Sequence, residues 1–223
     1  MKKAVLLLFS LFLTLHLAIG QEAISQNSLF AVGHLNSEWS YRAETHVIRG
    51  DFFKQARQLI LRPAITYNLT DKIDLSGGIS YLYNASYENG PSNTNEEFNS
   101  WEQLGYTHEL GRLKFSHWLR IEQRHREMGY SQRLRYRINI SAPINVLKLP
   151  NLRLVGFNEH FVHLKNFSLA GTDQNWTFFG VQFPINEHLL FRSGYRYAQV
   201  HQQTESFHLN TLHSWLIVRV LYK

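Results

Sequence analysis

The chain has 223 residues, a formal net charge of +6 and no cysteine. Without thiols it forms no disulfide, holds no thiolate-bound metal and takes no lipid anchor through cysteine. Aromatic residues make up 14% of the chain and its mean hydropathy is −0.28, a pairing that suits long strands with only one apolar face.

The first twenty residues stand apart from the rest. Lys2-Lys3 form a charged start, Ala4 to Leu17 an apolar run, and Ala18-Ile19-Gly20 a small-x-small cleavage signal. The segment 1–20 reads as a secretory signal peptide, too short for a stable anchor, with 21–223 as one domain. Removing Lys2 and Lys3 with it lowers the net charge to +4. Export excludes nucleic acid as the partner of this basic chain, and its arginines sit inside strands and form no tail. The better-matched partners are outer-membrane lipid and anionic lipopolysaccharide.

After residue 20 no stretch reaches the ~18 apolar residues of a spanning helix. Instead, apolar and polar residues alternate with period two. Ten strands are expected, at roughly 36–49, 55–67, 73–84, 98–109, 113–126, 131–142, 152–164, 174–184, 189–201 and 208–222. Most are longer than the soluble mode of about 5–6 residues and long enough for the about 9–11 of a tilted spanning strand. Pro63 removes one ladder bond and predicts a bulge or irregularity in the second strand.

The hairpin over 113–142 is the clearest element. Arg120, Glu122 and Arg124 alternate with Leu119 and Ile121, and Arg133, Arg135 and Arg137 alternate with Leu134, Tyr136 and Ile138. A tight reversal at Met128-Gly129 places Glu122 across from about Arg135, or from Arg133 or Arg137 after a two-residue slip. A greasy face with aromatics near its ends, backed by a charged face, is the polarity of a transmembrane barrel: apolar toward lipid, polar toward the lumen.

The connections alternate between short turns (68–72, 110–112, 143–151, 184–188) and longer or more polar loops (50–54, 85–97, 166–173, 202–207), with 127–130 a short exception. That alternation, with an even strand count, predicts an all-β, antiparallel up-and-down barrel of about ten strands with both termini at the short-turn end. The final WLIVRVLYK resembles the terminal strand by which barrel-assembly machinery recognises outer-membrane barrels. It departs from the pattern in that Lys223 follows Tyr222.

Several pieces together resemble the DUF2490 family of Bacteroidota outer-membrane proteins: Trp39 with Glu44, the paired RIEQRHRE and RLRYRINI followed by Pro143, the FNEHF segment holding Glu159, and the late RSGYRY. The resemblance implies a barrel at the cell outer membrane and no assigned activity.

The residues expected to face inward form a charge lattice: Arg42, Glu44, Arg120, Glu122, Arg124, Arg133, Arg135, Arg137, Glu159, Arg192 and Arg196. The plain reading is that these side chains fill a small lumen. The functional reading is an anion-attracting path. His160 and His163 fall on opposite strand faces and make no ligand pair, so no metal and no cofactor is expected. Ser116-His117 and His213-Ser214 are neighbours and also face opposite ways, which denies each pair a nucleophile–base bond. Trp39, Tyr41, Tyr81, Tyr83, Trp101, Tyr195 and Tyr197 are expected in interface girdles. The expected function is a small, largely plugged outer-membrane barrel with a structural or surface-binding role and no enzymatic activity. The alternatives are a narrow channel for small anions and, third, a lipid-modifying barrel enzyme.

Overall fold

A computed structural model describes residues 24–50, 56–86, 93–127, 129–144, 151–165, 171–201 and 206–220. The expected signal peptide, the terminal residues 221–223 and much of the longer loops lie outside the described residues. Eleven strands close into one barrel: β1 (Ile24–His34), β2 (Trp39–Arg49), β3 (Ala56–Asn68), β4 (Ile73–Ser86), β5 (Asn93–Leu110), β6 (Leu113–Arg126), β7 (Gly129–Pro143), β8 (Arg153–Lys165), β9 (Gly171–Pro184), β10 (Leu189–His201) and β11 (Ser206–Val220). Each pairs antiparallel with its sequence neighbours, and β1 closes the ring against β11 in parallel, from Ile24↔Thr211 to Gly33↔Val220.

Eleven strands correct the expected ten, and with them the even count. The parallel seam is a consequence of parity: in an up-and-down order of odd number, the first and last strands run the same way. The extra strand also corrects the position of the termini. Ile24 and Ser206 lie at one end of the barrel, and Val220 lies at the other. The loop expected at 85–97 shortens to 87–92, because β4 and β5 stay paired as far as Ser86↔Asn93. The hairpin of β6 and β7 is also tighter than 127–130, since Gly129 already pairs with Arg126. Gly129 takes φ +108, open to glycine and strained for other residues.

The turns at the other end are built alike. Asn36 Oδ1 accepts from the backbone N–H groups of Glu38 and Trp39, and Asn186 Oδ1 accepts from those of His188 and Leu189. Thr70 Oγ1 does the same for Lys72 and Ile73. A short side chain thus mimics a turn carbonyl and ends each strand at a defined residue.

Side-chain polarity is inverted relative to a soluble barrel. The outer wall exposes Ile65, Leu75, Ile79, Leu104, Leu119 and Phe179. The inner wall buries Glu44, Arg120, Glu122, Arg135, Glu159 and Arg196, each at most 6% exposed. On the outside of β8 and β9, Asn158, Asn175, Thr177 and His160 interrupt the apolar surface and bond to one another. Part of the interior is apolar: Val155, Phe157, Phe178 and Trp215 pack together, with Phe30, Trp176 and Ile217 against them. At Pro63 the β3–β4 ladder lapses between Leu61↔Tyr81 and Ala64↔Gly78 without a change of register. Gly78 matters here: a Cβ would come within 2.6 Å of the Trp101 ring and 2.5 Å of the Pro63 carbonyl oxygen.

Candidate functional site

The alternation of β6 and β7 aims their even- and odd-numbered residues, respectively, into the barrel. Register then sets Glu122 directly opposite Arg133 and Arg120 opposite Arg135. The expected partner of Glu122, Arg135, is thus one diagonal step away, yet it also reaches the carboxylate. Glu122 accepts from Arg133 Nε at 3.0 Å and Nη2 at 2.7 Å, and from Arg135 Nη1. Arg120 stands 3.9 Å from it. Arg135 turns its other edge to Glu159, which also takes Arg137 Nε at 2.8 Å. The result is a continuous run, Arg133–Glu122–Arg135–Glu159–Arg137, across β6, β7 and β8.

Arg42 and Glu44 form a second group with two residues absent from the expected lattice. Glu44 takes Arg42 Nε at 2.7 Å, His46 Nε2 at 3.0 Å and Arg62 Nη1 at 3.3 Å. Arg124 belongs to a third group, gripping Glu97 through Nε and Nη2 at 2.7 Å each. Asp173 joins Arg133 at 3.4 Å to His163 at 3.2 Å. Glu97 and Asp173 escaped the sequence reading because both sit in stretches that lack two-residue alternation and were read as loop. Arg62 carried the right signal, a polar position opposite Leu59, Leu61 and Ile65.

Arg192 and Arg196 are placed differently. Among the described residues neither forms an ion pair. Arg192 Nε and Nη2 donate to Gln182 Oε1 at 3.0 and 2.5 Å. Arg196 Nη1 donates to Gln26 Oε1 at 3.2 Å, and its Nη2 to Thr211 Oγ1 at 3.1 Å.

Aromatic rings complete the inner wall. The Arg120 guanidinium lies 3.9 Å over Trp101, Arg137 4.0 Å over Phe157 and Arg196 4.1 Å over Trp176. Trp101 is 1% exposed and donates its Nε1–H to Ser80 Oγ, which corrects its expected place in an outer girdle. A flat guanidinium satisfied at its edges can still stack through its face, so the charged lumen recruits aromatics inward. Trp39, Tyr83, Tyr195 and Tyr197 do face outward.

The histidines divide by strand face. His163 is buried inside, while His160 sits on the outer wall against Asn175. No cluster of three or more His, Asp or Glu among the described residues is arranged to hold a metal. Among the described residues one buried serine hydroxyl meets a histidine ring: Ser28 Oγ lies 2.7 Å from His46 Nδ1, whose Nε2 donates to Glu44. This atom order is that of a nucleophile, base and acid. The surroundings differ from a working triad, because Gln26 Nε2 also approaches His46 Nδ1 at 3.3 Å, and Glu44 is shared with two guanidiniums. The contact escaped the sequence reading because Ser28 lies on β1, outside the ten expected strands.

A family model described as "Protein of unknown function (DUF2490)" matches residues 27–208. An uncharacterized protein of Methylorubrum extorquens is 27% identical over 176 residues, covering 77% of this chain and 76% of its own length. No solved structure matches.

Proposed function

The chain belongs to the DUF2490 family of proteins of unknown function, and for this member we propose a place in the bacterial outer membrane as a largely filled β-barrel with a structural or surface-binding role. One observation carries the reading: the wall is apolar outside and ionic inside. In water the exposed leucines, isoleucines and phenylalanines would form a broad apolar surface of the kind that drives association. In lipid they face a matching solvent, and a closed barrel leaves no unpaired backbone edge within the hydrocarbon. The Asn158–Asn175–Thr177–His160 group supports the reading because each member is bonded to another, which lowers the cost of facing lipid. The interior reads as filling: long arginines, shared carboxylates and stacked rings occupy the space that a wide channel would leave to water.

Lipid and lipopolysaccharide are the surrounding partners in this reading, and barrel-assembly machinery the partner during biogenesis. The test is fractionation of cells expressing the chain. The protein is expected with outer-membrane markers, folded only in detergent or lipid, with a gel mobility that shifts on heating. Recovery as a soluble monomer without detergent would sink the proposal.

A second reading, a narrow path for small anions, is favoured by Arg192 and Arg196, which form no ion pair among the described residues.

A further inference from the structure

Arg196 is a buried cation that forms no ion pair among the described residues, since Glu159 is bonded to Arg135 and Arg137 instead. It is 4% exposed, and its hydrogen-bond partners among the described residues are neutral, the amide oxygen of Gln26 and the hydroxyl of Thr211. Its Nε, buried with it, has no acceptor among the described residues. Beside it stands His213, 3% exposed, whose Nε2 bonds to the same Gln26 Oε1 at 2.6 Å and whose Nδ1 is likewise without a partner. Both side chains meet on one amide oxygen, which brings the guanidinium and the imidazole together at the β10–β11–β1 seam. Trp176 covers the guanidinium and Trp215 stands edge-on to the imidazole, with ring centroids 4.7 Å apart.

A guanidinium held out of water without an anion is costly, and a buried donor without an acceptor adds to that cost. The other buried arginines of the hairpin solve the first problem with Glu97, Glu122 and Glu159. Among the described residues, the acceptors that the seam gives this guanidinium are the Gln26 amide and the Thr211 hydroxyl. We propose that Arg196 and His213 form a site for a small oxyanion of the hydrogen-phosphate class, which supplies the missing charge.

The two nitrogens also give the site a preference. Gln26 Oε1 can only accept, so His213 carries its proton on Nε2 and presents a lone pair at Nδ1. Arg196 Nε presents an N–H. A ligand satisfying both needs one anionic oxygen for the arginine and one O–H for the histidine. Hydrogen phosphate has both. Sulfate at neutral pH has no O–H, and a buried acceptor discriminates strongly against an isostere lacking the donor. The depth of the site restricts the ligand to a small free ion. This assignment does not depend on whether the barrel sits in a membrane.

The test uses the purified, folded full chain and follows tryptophan fluorescence, since Trp176 and Trp215 flank the site. Sodium phosphate is expected to give a saturable change, with sulfate weaker by at least roughly tenfold and chloride at equal ionic strength giving none. Arg196→Gln is expected to abolish the phosphate response. Should that variant fail to fold, the wild-type comparison of phosphate, sulfate and chloride decides alone. No saturable response, an equal response to sulfate or chloride, or an undiminished response in folded Arg196→Gln would each overturn the site.

Discussion

Arg124 and Glu97 meet fork to fork, Nε to Oε1 and Nη2 to Oε2, with both distances at 2.7 Å. They are diagonal neighbours in the β5–β6 ladder, where Arg124 stands opposite Asn99 and Glu97 opposite Arg126. Only a planar fork spans that diagonal with two parallel bonds.

Truncating one partner strands the other in the barrel wall. Arg124→Ala is expected to destabilise the folded barrel by roughly 3–5 kcal/mol, the cost of breaking a buried pair from one side. The double variant Arg124→Leu/Glu97→Leu is expected to lose less than Arg124→Ala, because no lone charge remains. Denaturant unfolding in detergent measures both. A double variant that loses as much as Arg124→Ala or more would mean that the two side chains are solvated independently.

Glu122 is the hub of the largest network, with Arg133 and Arg135 on its oxygens and Arg120 beyond. Glu122→Gln keeps the shape and removes the charge that offsets these guanidiniums. The expected loss is again roughly 3–5 kcal/mol, seen as a lower heating threshold for the change in gel mobility. Adding Arg133→Gln should restore part of that loss, since one surplus cation leaves with it. A Glu122→Gln barrel that melts like wild type would show that water, and not the carboxylate, neutralises this wall.

How much of this was legible in the sequence follows from how strictly each strand separates its two faces. β4 and the β6–β7 hairpin do so cleanly, as in Ile73, Leu75 and Ile79 against Asp74, Ser76 and Ser80, and their placement was readable. β1 does not. Its inward positions include Gln26 and Ser28 but also Phe30 and Val32, and its outward positions include Asn27 with Leu29. No alternation of polarity marks it, and the strand count, the parallel seam and the side of the amino terminus were lost together. The lattice was readable where charge alternates, as at Arg133, Arg135 and Arg137. It was not readable where carboxylates lie near strand ends, as Glu97 and Asp173 do. Trp101 was misplaced because a tryptophan in a barrel was read as a girdle residue, whereas the arginines give it an interior partner.

Ser28, His46 and Glu44 lie in the order that activates a hydroxyl, so the expectation of no enzymatic role needs its own test. Ser28 shares its histidine with Gln26, and the carboxylate that would stabilise an imidazolium is already held by Arg42 and Arg62. The folded protein is therefore expected to stay unlabelled by a fluorophosphonate, as read by intact mass. A single adduct that disappears in Ser28→Ala and in His46→Ala would make this group a working nucleophile and revive the lipid-modifying alternative.

The last prediction concerns whether the filled interior conducts. Barrel diameter grows with strand number, so eleven strands enclose a wider interior than the eight whose side chains just fill it. Here that space takes Arg120, Arg133, Arg135 and Arg137, their carboxylates, and the rings of Trp101, Phe157 and Phe161 stacked against them. Bridging bonds from β6 through β7 to β8 pin the guanidiniums along this wall. Filling by pinned side chains therefore favours closure. Charge pulls the other way, because Arg192 and Arg196 form no ion pair among the described residues, and a narrow low-dielectric tube would focus their field on passing anions. The expected planar-bilayer result is no steady conductance at any salt concentration. If a steady current does appear, the anion-path reading requires chloride to pass better than potassium and Arg196→Glu to weaken or reverse that preference. Stable cation-selective current through the wild-type protein would refute both readings, since this arginine-rich wall repels cations.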